Sequence, residues 1–415
     1  MFRFIVSLAW KNLMRYKRRT LITALAIAAG ISMYILVDSM LKGAELESEL
    51  NLQYYETGSG VITTEKYWEE RVRVPTAEYM PDADKLLAEL KQAGIAAAPR
   101  IVAQAELVVY EDPYPVDGSL RGLLTALDPA MDKEVFRLEG SIVKGKFLRA
   151  GNSEAVLGSW IANKLKADVG YPLTIVTRTT EGFMQTLDVT VVGIIDSPDP
   201  VINRTGVYLP IDYAREMLSM PGGANQLFVD TGLGRNKASE DKIAKVLSAR
   251  EGLVYNSWEK LAEDFLAVAG AKQKGTGLIL FLIFITAAVG ISNTMLMAVY
   301  ERIRELGMLR AIGMNDKDIR NLFLVEAACI GLIGAAFGAA LGLVFDFFLI
   351  RYGIDFTSML KDMDIGYRVA GSFRGIWNLK TVASSFFIGA IIAVIVSIFP
   401  VRRALKKSIV ECLRK

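Results

Sequence analysis

Four apolar blocks constrain this chain more than anything else in it. They run from about Leu21 to Met40, Gly277 to Val299, Leu322 to Ile350 and Val382 to Phe399. An α-helix needs about 20 residues to cross roughly 30 Å of hydrocarbon at about 1.5 Å per residue, and each block has that reach. The first block starts too far in, runs too long for a signal-peptide core and has no small-x-small cleavage site, so it reads as an anchor. The expected fold class is an α-helical membrane protein: four transmembrane helices with a large α/β extracytoplasmic domain between helices 1 and 2.

Charge placement gives the orientation. Residues 1–20 carry Arg3, Lys11, Arg15, Lys17, Arg18 and Arg19 with no acid, and residues 401–415 carry six basic residues against Glu411. Over 41–274 there are 26 basic and 34 acidic residues, a net of −8. The positive-inside rule therefore places both termini in the cytoplasm and the long acidic segment outside. The expected order is a cytoplasmic amphipathic helix at 1–20, spans at 21–40, 275–300, 319–351 and 379–400, an outer domain at 41–274, a cytoplasmic connection at 301–318, an outer loop at 352–378 and a cytoplasmic tail at 401–415. The near-neutral total hides this asymmetry and gives no reason to expect nucleic acid as a partner.

Composition removes several chemistries. The chain has no histidine, which excludes His-based metal sites and Ser–His catalysis. Its two cysteines, Cys329 and Cys412, lie in the third span and the tail, so the outer domain must hold by its core alone. Gly140 to Lys146 has the phosphate-loop spacing GxxxxGK, but Phe147 stands where a magnesium-binding hydroxyl is needed. No catalytic or metal-binding residue is expected, and the chain is not read as an enzyme.

Within 41–274, strands near Val61–Thr64 and Ile101–Tyr110 flank a helix at about Asp82–Ala93. The pattern returns as strand Gln226–Asp230, helix Lys237–Arg250 and strand Leu253–Tyr255, so the two ends predict one discontinuous α/β subdomain. Between them, about 128–200 reads as an inserted β-rich subdomain, with a hairpin turning at Glu181-Gly182. Helical spacing continues past the first span, and Ser257 is expected to cap a helix that leads into the second.

Gly331, Gly334, Gly338 and Gly342 recur at three and four residues, a packing face against the other spans or a second subunit. Asp38, Glu326 and Asp346 sit at or near span ends, where boundary placement or snorkelling is expected. The segment from Glu301 to Ile319 carries Ile303, Leu306, Leu309 and Ile312 at helical spacing among both charge signs, and Gly313 stops it. A solvated connector has no reason to show an apolar stripe, so a docking surface for a cytoplasmic partner fits better. Glu305, between Arg302 and Leu309, is expected to project toward that partner.

The run Glu301-Arg302-Ile-Arg304-Glu305-Leu306-Gly307-Met-Leu309-Arg310-Ala-Ile-Gly313 resembles the coupling region of FtsX-like ABC transporter permeases, the type VII or MacB-like superfamily. The likeness continues from Ile319 to Gly342 and resumes at Phe399-Pro400-Val-Arg-Arg-Ala404 through Leu413-Arg414, with Ser408 where the family often has proline. It implies a permease in a bacterial cytoplasmic (inner) membrane. Such a permease works with two copies of an ABC ATPase subunit and a second permease, identical or paralogous. ATP and Mg would sit on the ATPase, and no cofactor on this chain. Leu127-Asp-Pro129, Val156-Leu-Gly158 and Ile161 to Leu165 resemble a run of the lipoprotein-releasing permeases, whose cargo would be extracted from membrane lipid. Leu25, Leu36, Leu282 and Ile285 would then line a substrate cleft. Efflux of drugs or peptides, or regulation of an extracellular hydrolase, are the alternatives this resemblance leaves open.

Overall fold

The computed structural model describes residues 2–111, 114–232, 236–356, 368–369 and 371–413. Much of the predicted 352–378 loop lies outside the described residues, as do Arg414 and Lys415. The chain forms two compact units, one of Met1–Glu45, Ala269–Met359 and Ser372–Lys415, the other of Leu46–Val268 and Leu360–Gly371.

The first unit is helical. An N-terminal helix, Phe2–Arg15, is followed by a first long helix, Lys17–Leu52, which a π-helical turn at Gln53–Thr57 closes. The second long helix is Glu263–Glu301, the third Asp316–Tyr352 and the fourth Leu379–Leu405. Short helices at Ile303–Ala311 and Ile409–Leu413 follow the second and fourth. Among the described residues, three helices are long and apolar enough to cross a membrane: Thr20–Thr57, Asp316–Tyr352 and Leu379–Arg403. The second predicted block lies in Glu263–Glu301. The chain is an integral membrane protein.

The glycine row of the third long helix packs inside this unit. A Cβ on Gly331 would sit 2.8 Å from Ala393 Cβ of the fourth helix, and one on Gly334 2.9 Å from the Ala24 carbonyl oxygen of the first. On Gly338 it would lie 2.8 Å from both Cα and O of Ala28, and on Gly342 2.8 Å from Ile35 Cδ1. Any side chain there would push whole helices apart, so the row is what allows backbone contact.

The second unit is built on a sheet of ten strands: β1 Gly60–Thr64, β2 Ala96–Glu111, β3 Tyr114–Leu127, β4 Ile142–Gly145, β5 Glu154–Gly158, β6 Pro172–Arg178, β7 Met184–Ile195, β8 Gly206–Pro210, β9 Gln226–Asp230 and β10 Leu253–Ser257. At one end the order β10-β1-β9-β2 interleaves two strand–helix–strand units, the split ferredoxin-like arrangement, with all neighbours antiparallel. Helices Ala83–Gln92 and Lys237–Leu247 cover it through Leu86, Leu90, Ile243 and Leu247. This is the discontinuous subdomain expected from the two ends of the segment.

The inserted region corrects the sequence reading. Strands β4 to β7 do not form a subdomain of their own, because β6 pairs with both β2 and β7. With β3, β8 and β5 this closes a ring, β2-β3-β8-β5-β7-β6. The physical reason is the length of β2: residues 96–100 pair with β9 and residues 106–108, on the same edge, with β6. Asn225 fills the gap between them. Its Oδ1 accepts from the Val102 amide at 2.9 Å and its Nδ2 donates to the Val102 carbonyl at 2.7 Å, as a neighbouring strand would.

Two smaller expectations fare differently. The hairpin of β6 and β7 forms as read, Arg178 facing Met184 across the turn. Ser257 makes no side-chain cap, because it is the last residue of β10, paired with Gly60, and the helix it precedes stops at Leu261 before the long helix starts at Glu263.

Replacing Asn225 by leucine leaves two buried backbone groups of Val102 without partners. An unsatisfied buried group costs about 1–3 kcal/mol, so with two of them the full chain should lose about 2–6 kcal/mol of stability in denaturant unfolding. A loss below about 0.5 kcal/mol would show that the strand does not need the amide.

Candidate functional site

The short helix Ile303–Ala311 is delimited by its two ends. Arg302 leaves helical geometry at φ −104° and ψ 14°, which separates it from the second long helix. Gly313, at φ +100°, takes the left-handed turn that side-chain-bearing residues avoid and lets the chain reverse into the third long helix. Arg310 braces that reversal with an ion pair to Asp316 at 2.9 Å and a hydrogen bond to the Lys407 carbonyl at 2.6 Å.

The apolar stripe does not point one way. Ile303 and Leu306 are buried in the chain's own core, Leu306 in a cluster with Val299, Ile319, Phe323 and Val401. Gly307 lies against the closing helix, where a Cβ would meet Cys412 Cβ at 2.9 Å. Leu309 is half-buried, whereas Met308 is 48 % and Ile312 85 % exposed. The expected docking stripe is therefore split: two of its members support the helix, and Ile312 with Met308 offers the outward apolar surface. Glu301 and Arg304 are exposed beside it. Helical spacing alone could not show this, because part of the cover comes from Val401 and Cys412, about a hundred positions away.

Glu305 also departs from expectation. Its carboxylate turns back on the chain, taking Arg302 Nε at 3.0 Å and Arg15 Nη1 at 3.5 Å. Arg302 is 6 % exposed and Glu326 2 % exposed. Arg302 Nη1 donates to both Glu326 oxygens at 3.1 Å, and Asn12 Nδ2 adds a 2.6 Å bond to Oε1. The Arg302 guanidinium also lies 5.3 Å from the Tyr16 ring and 5.8 Å from the Phe323 ring. Glu326 is thus no snorkelling boundary acid but the buried centre of a network joining the N-terminal helix, the short helix and the third long helix. Charge-assisted bonds at this density offset the cost of burying an ion pair.

The other predicted acids differ from one another. Asp38 pairs with Lys42 at 3.1 Å and accepts from Asn378 at 2.9 Å, and Asp346 is buried. The phosphate-loop spacing at 140–146 falls on a 3-10 turn and β4, and the Lys146 amide is already given to the Val192 carbonyl.

A groove of about 460 Å³ opens in the helical unit, lined by Tyr34, Gly277, Phe281, Ile285, Ala288, Ile388 and Ile392. Of the four predicted cleft residues it contains Ile285. Leu25 and Leu282 are exposed outside the lining, and Leu36 is half-buried. Phe281, Ile285 and Ala288 share one helix face, a spacing available in the sequence. The fourth-helix contribution was not readable, because that helix is apolar all round.

Comparison with known proteins matches both parts of the chain. Residues 20–246 match the MacB-like periplasmic core domain, and residues 277–409 the FtsX-like permease C-terminal family. The chain is 24 % identical over 437 aligned positions to the lipoprotein-releasing system transmembrane protein LolC of Neisseria meningitidis, covering 98 % of each. It is 23 % identical to a probable export ATP-binding/permease protein MacB of Pseudomonas entomophila, spanning all of this chain but 59 % of that protein. The periplasmic region of MacB from Actinobacillus actinomycetemcomitans, a solved structure, aligns with 52 % of this chain and 95 % of its own at 15 % identity and a TM-score of 0.36.

Removing one partner of the buried pair should be costly and removing both should not. Arg302→Gln strands Glu326 and is expected to cost about 3–5 kcal/mol in the purified full chain. Arg302→Gln with Glu326→Gln should recover most of that loss in the same unfolding measurement. A double variant no more stable than the single one would mean the two groups are not coupled.

Proposed function

The chain belongs to the FtsX-like, MacB-like family of ABC transporter permeases, and from that premise we propose that it transmits work from a separate ATPase subunit to an extracytoplasmic substrate. In this reading all four long helices cross a bacterial cytoplasmic membrane. Both termini and the short helix face the cytoplasm, and the sheet unit lies outside. ATP and Mg are held by two ATPase copies, and a second permease completes the assembly.

The observation that carries the reading is the mounting of the short helix. A surface that only recruits a partner can sit on a flexible loop, but one that transmits force must be fixed to what it moves. Ile312 and Met308 stand at the end of a helix anchored by Arg302 to Glu326 of the third long helix and by Gly307 to the closing helix. Displacing that surface displaces the third long helix with it.

For the cargo we favour lipoprotein release. The groove between Tyr34, Phe281, Ile285, Ile388 and Ile392 is apolar along its length, which suits acyl chains bound by area at roughly 25 cal/mol per Å².

Two measurements test this. Ile312→Asp changes an exposed side chain, so the protein should fold and insert normally while ATPase binding weakens at least about tenfold, as for an interface anchor. Lys317→Glu is the exposed control. Wild-type retention of the ATPase by Ile312→Asp would remove the short helix from the interface. Photo-crosslinkers at Phe281 and Ile388 should capture triacylated protein, whereas capture of small amphiphiles alone would assign the groove to efflux.

A further inference from the structure

One cluster in the sheet unit plays no part in this coupling scheme. Glu56 lies in the π-helical turn at the end of the Thr20–Thr57 helix, sixteen residues, or about 24 Å at 1.5 Å per residue, past the apolar block that ends at Met40. Asp199 caps the helix Pro200–Thr205 and is fully buried. Arg368 belongs to the connection between the third and fourth long helices, at a point assigned to the sheet unit. Its Nη1 lies 2.9 Å from Glu56 Oε1 and 3.3 Å from Asp199 Oδ1.

The backbone of Arg368 is pinned as well. Its amide donates to Ser48 Oγ at 3.0 Å, and its carbonyl accepts from Asn51 Nδ2 at 2.6 Å. Val369 beside it is buried. Arg368 is thus held to residues 48–56 by main chain and side chain together.

The charges do not balance. A single guanidinium nitrogen serves two carboxylates, and Asp199 Oδ2 is buried with no hydrogen-bond partner among the described residues. Glu56 keeps a quarter of its side chain exposed, yet its Oε1 is closed off from solvent. Both carboxyl groups contact the same guanidinium nitrogen, which places their oxygens within about 6 Å of each other. Two like charges this close in a desolvated site cannot both ionise cheaply, and a proton between them would also satisfy the orphaned oxygen. Tyr208 of β8, which burial keeps neutral, lies within electrostatic range of both carboxylates and of the Arg100–Asp132 ion pair.

We propose that Glu56, Asp199 and Arg368 form a proton-dependent clasp, holding Arg368 and Val369 to residues 48–56 and Asp199 of the sheet unit when one proton is bound and releasing them as that proton is lost. Burial, then the Asp199 charge, raise the Glu56 pKa from its ordinary value to about 8. The closed clasp therefore keeps a proton that the open one gives up. For a raised carboxyl the sign is fixed: closure is favoured at low pH, weakens as pH rises above the ordinary carboxylate range, and stops changing above the raised value. The clasp does not depend on what docks at Ile312.

Hydrogen exchange at the Arg368 amide, read by mass spectrometry on the full chain in detergent and corrected for intrinsic rates, reports the clasp directly. Protection in the wild type should fall about tenfold per pH unit between about pH 5 and 7.5 and level off above about pH 8. Glu56→Gln, neutral at every pH and close in shape, should hold protection within about twofold across that range. A pH-independent wild type overturns the proposal without recourse to any variant. A Glu56→Gln protein that keeps the wild-type slope overturns it too, because the proton would then belong to another group.

Discussion

Two helix backbones can touch only where side chains are absent, and in hydrocarbon that contact replaces the hydrophobic effect as the source of cohesion. The third long helix meets this condition along one face. Gly334, Gly338 and Gly342 bring it against the first helix and Gly331 against the fourth. Everything at its start inherits that position: Glu326 lies five residues before Gly331, and Ile319 and Phe323 form the floor beneath the short helix.

Two buried charge clusters behave differently for reasons of stoichiometry. At Glu326 the carboxylate receives both contacts of Arg302 Nη1 and a third from Asn12, and the spare arginine nitrogen goes to the half-exposed Glu305. Donors and acceptors match, so the site is a fixed joint. At Arg368 one cation faces two carboxylates and an oxygen is left without a donor. The first arrangement gives a single geometry, while the second leaves its geometry open to a proton.

The sequence was most readable where the physics is local. Apolar block length located the long helices, small-residue spacing found the glycine face, short strand-like runs between turn residues found β1, β9 and β10, and alternation found the β6–β7 hairpin. Each of these depends on neighbours within a few positions. What escaped depends on partners far along the chain. Arg302 and Glu326 are 24 positions apart across a helix break, Asn225 satisfies Val102 from 123 positions away, and Glu305 reads outward until Arg15 is placed beside it. The inserted subdomain was misread for the same reason. A 16-residue strand signals its own existence, but nothing in its alternation says that one edge serves two partners in succession.

The interleaved order β10-β1-β9-β2 has a consequence for how the protein is made. On the ribosome β1 and β2 emerge early, but β9, which must slot between them, begins about 115 residues after β2 ends. At roughly 5–20 residues per second that interval is on the order of ten seconds. Throughout it, both inner edges stand open with unpaired amides and carbonyls, the condition in which strands recruit the wrong neighbour. Biogenesis of this unit is therefore exposed to mispairing for as long as translation takes to reach residue 230, and a pause in synthesis before that point lengthens the exposure directly.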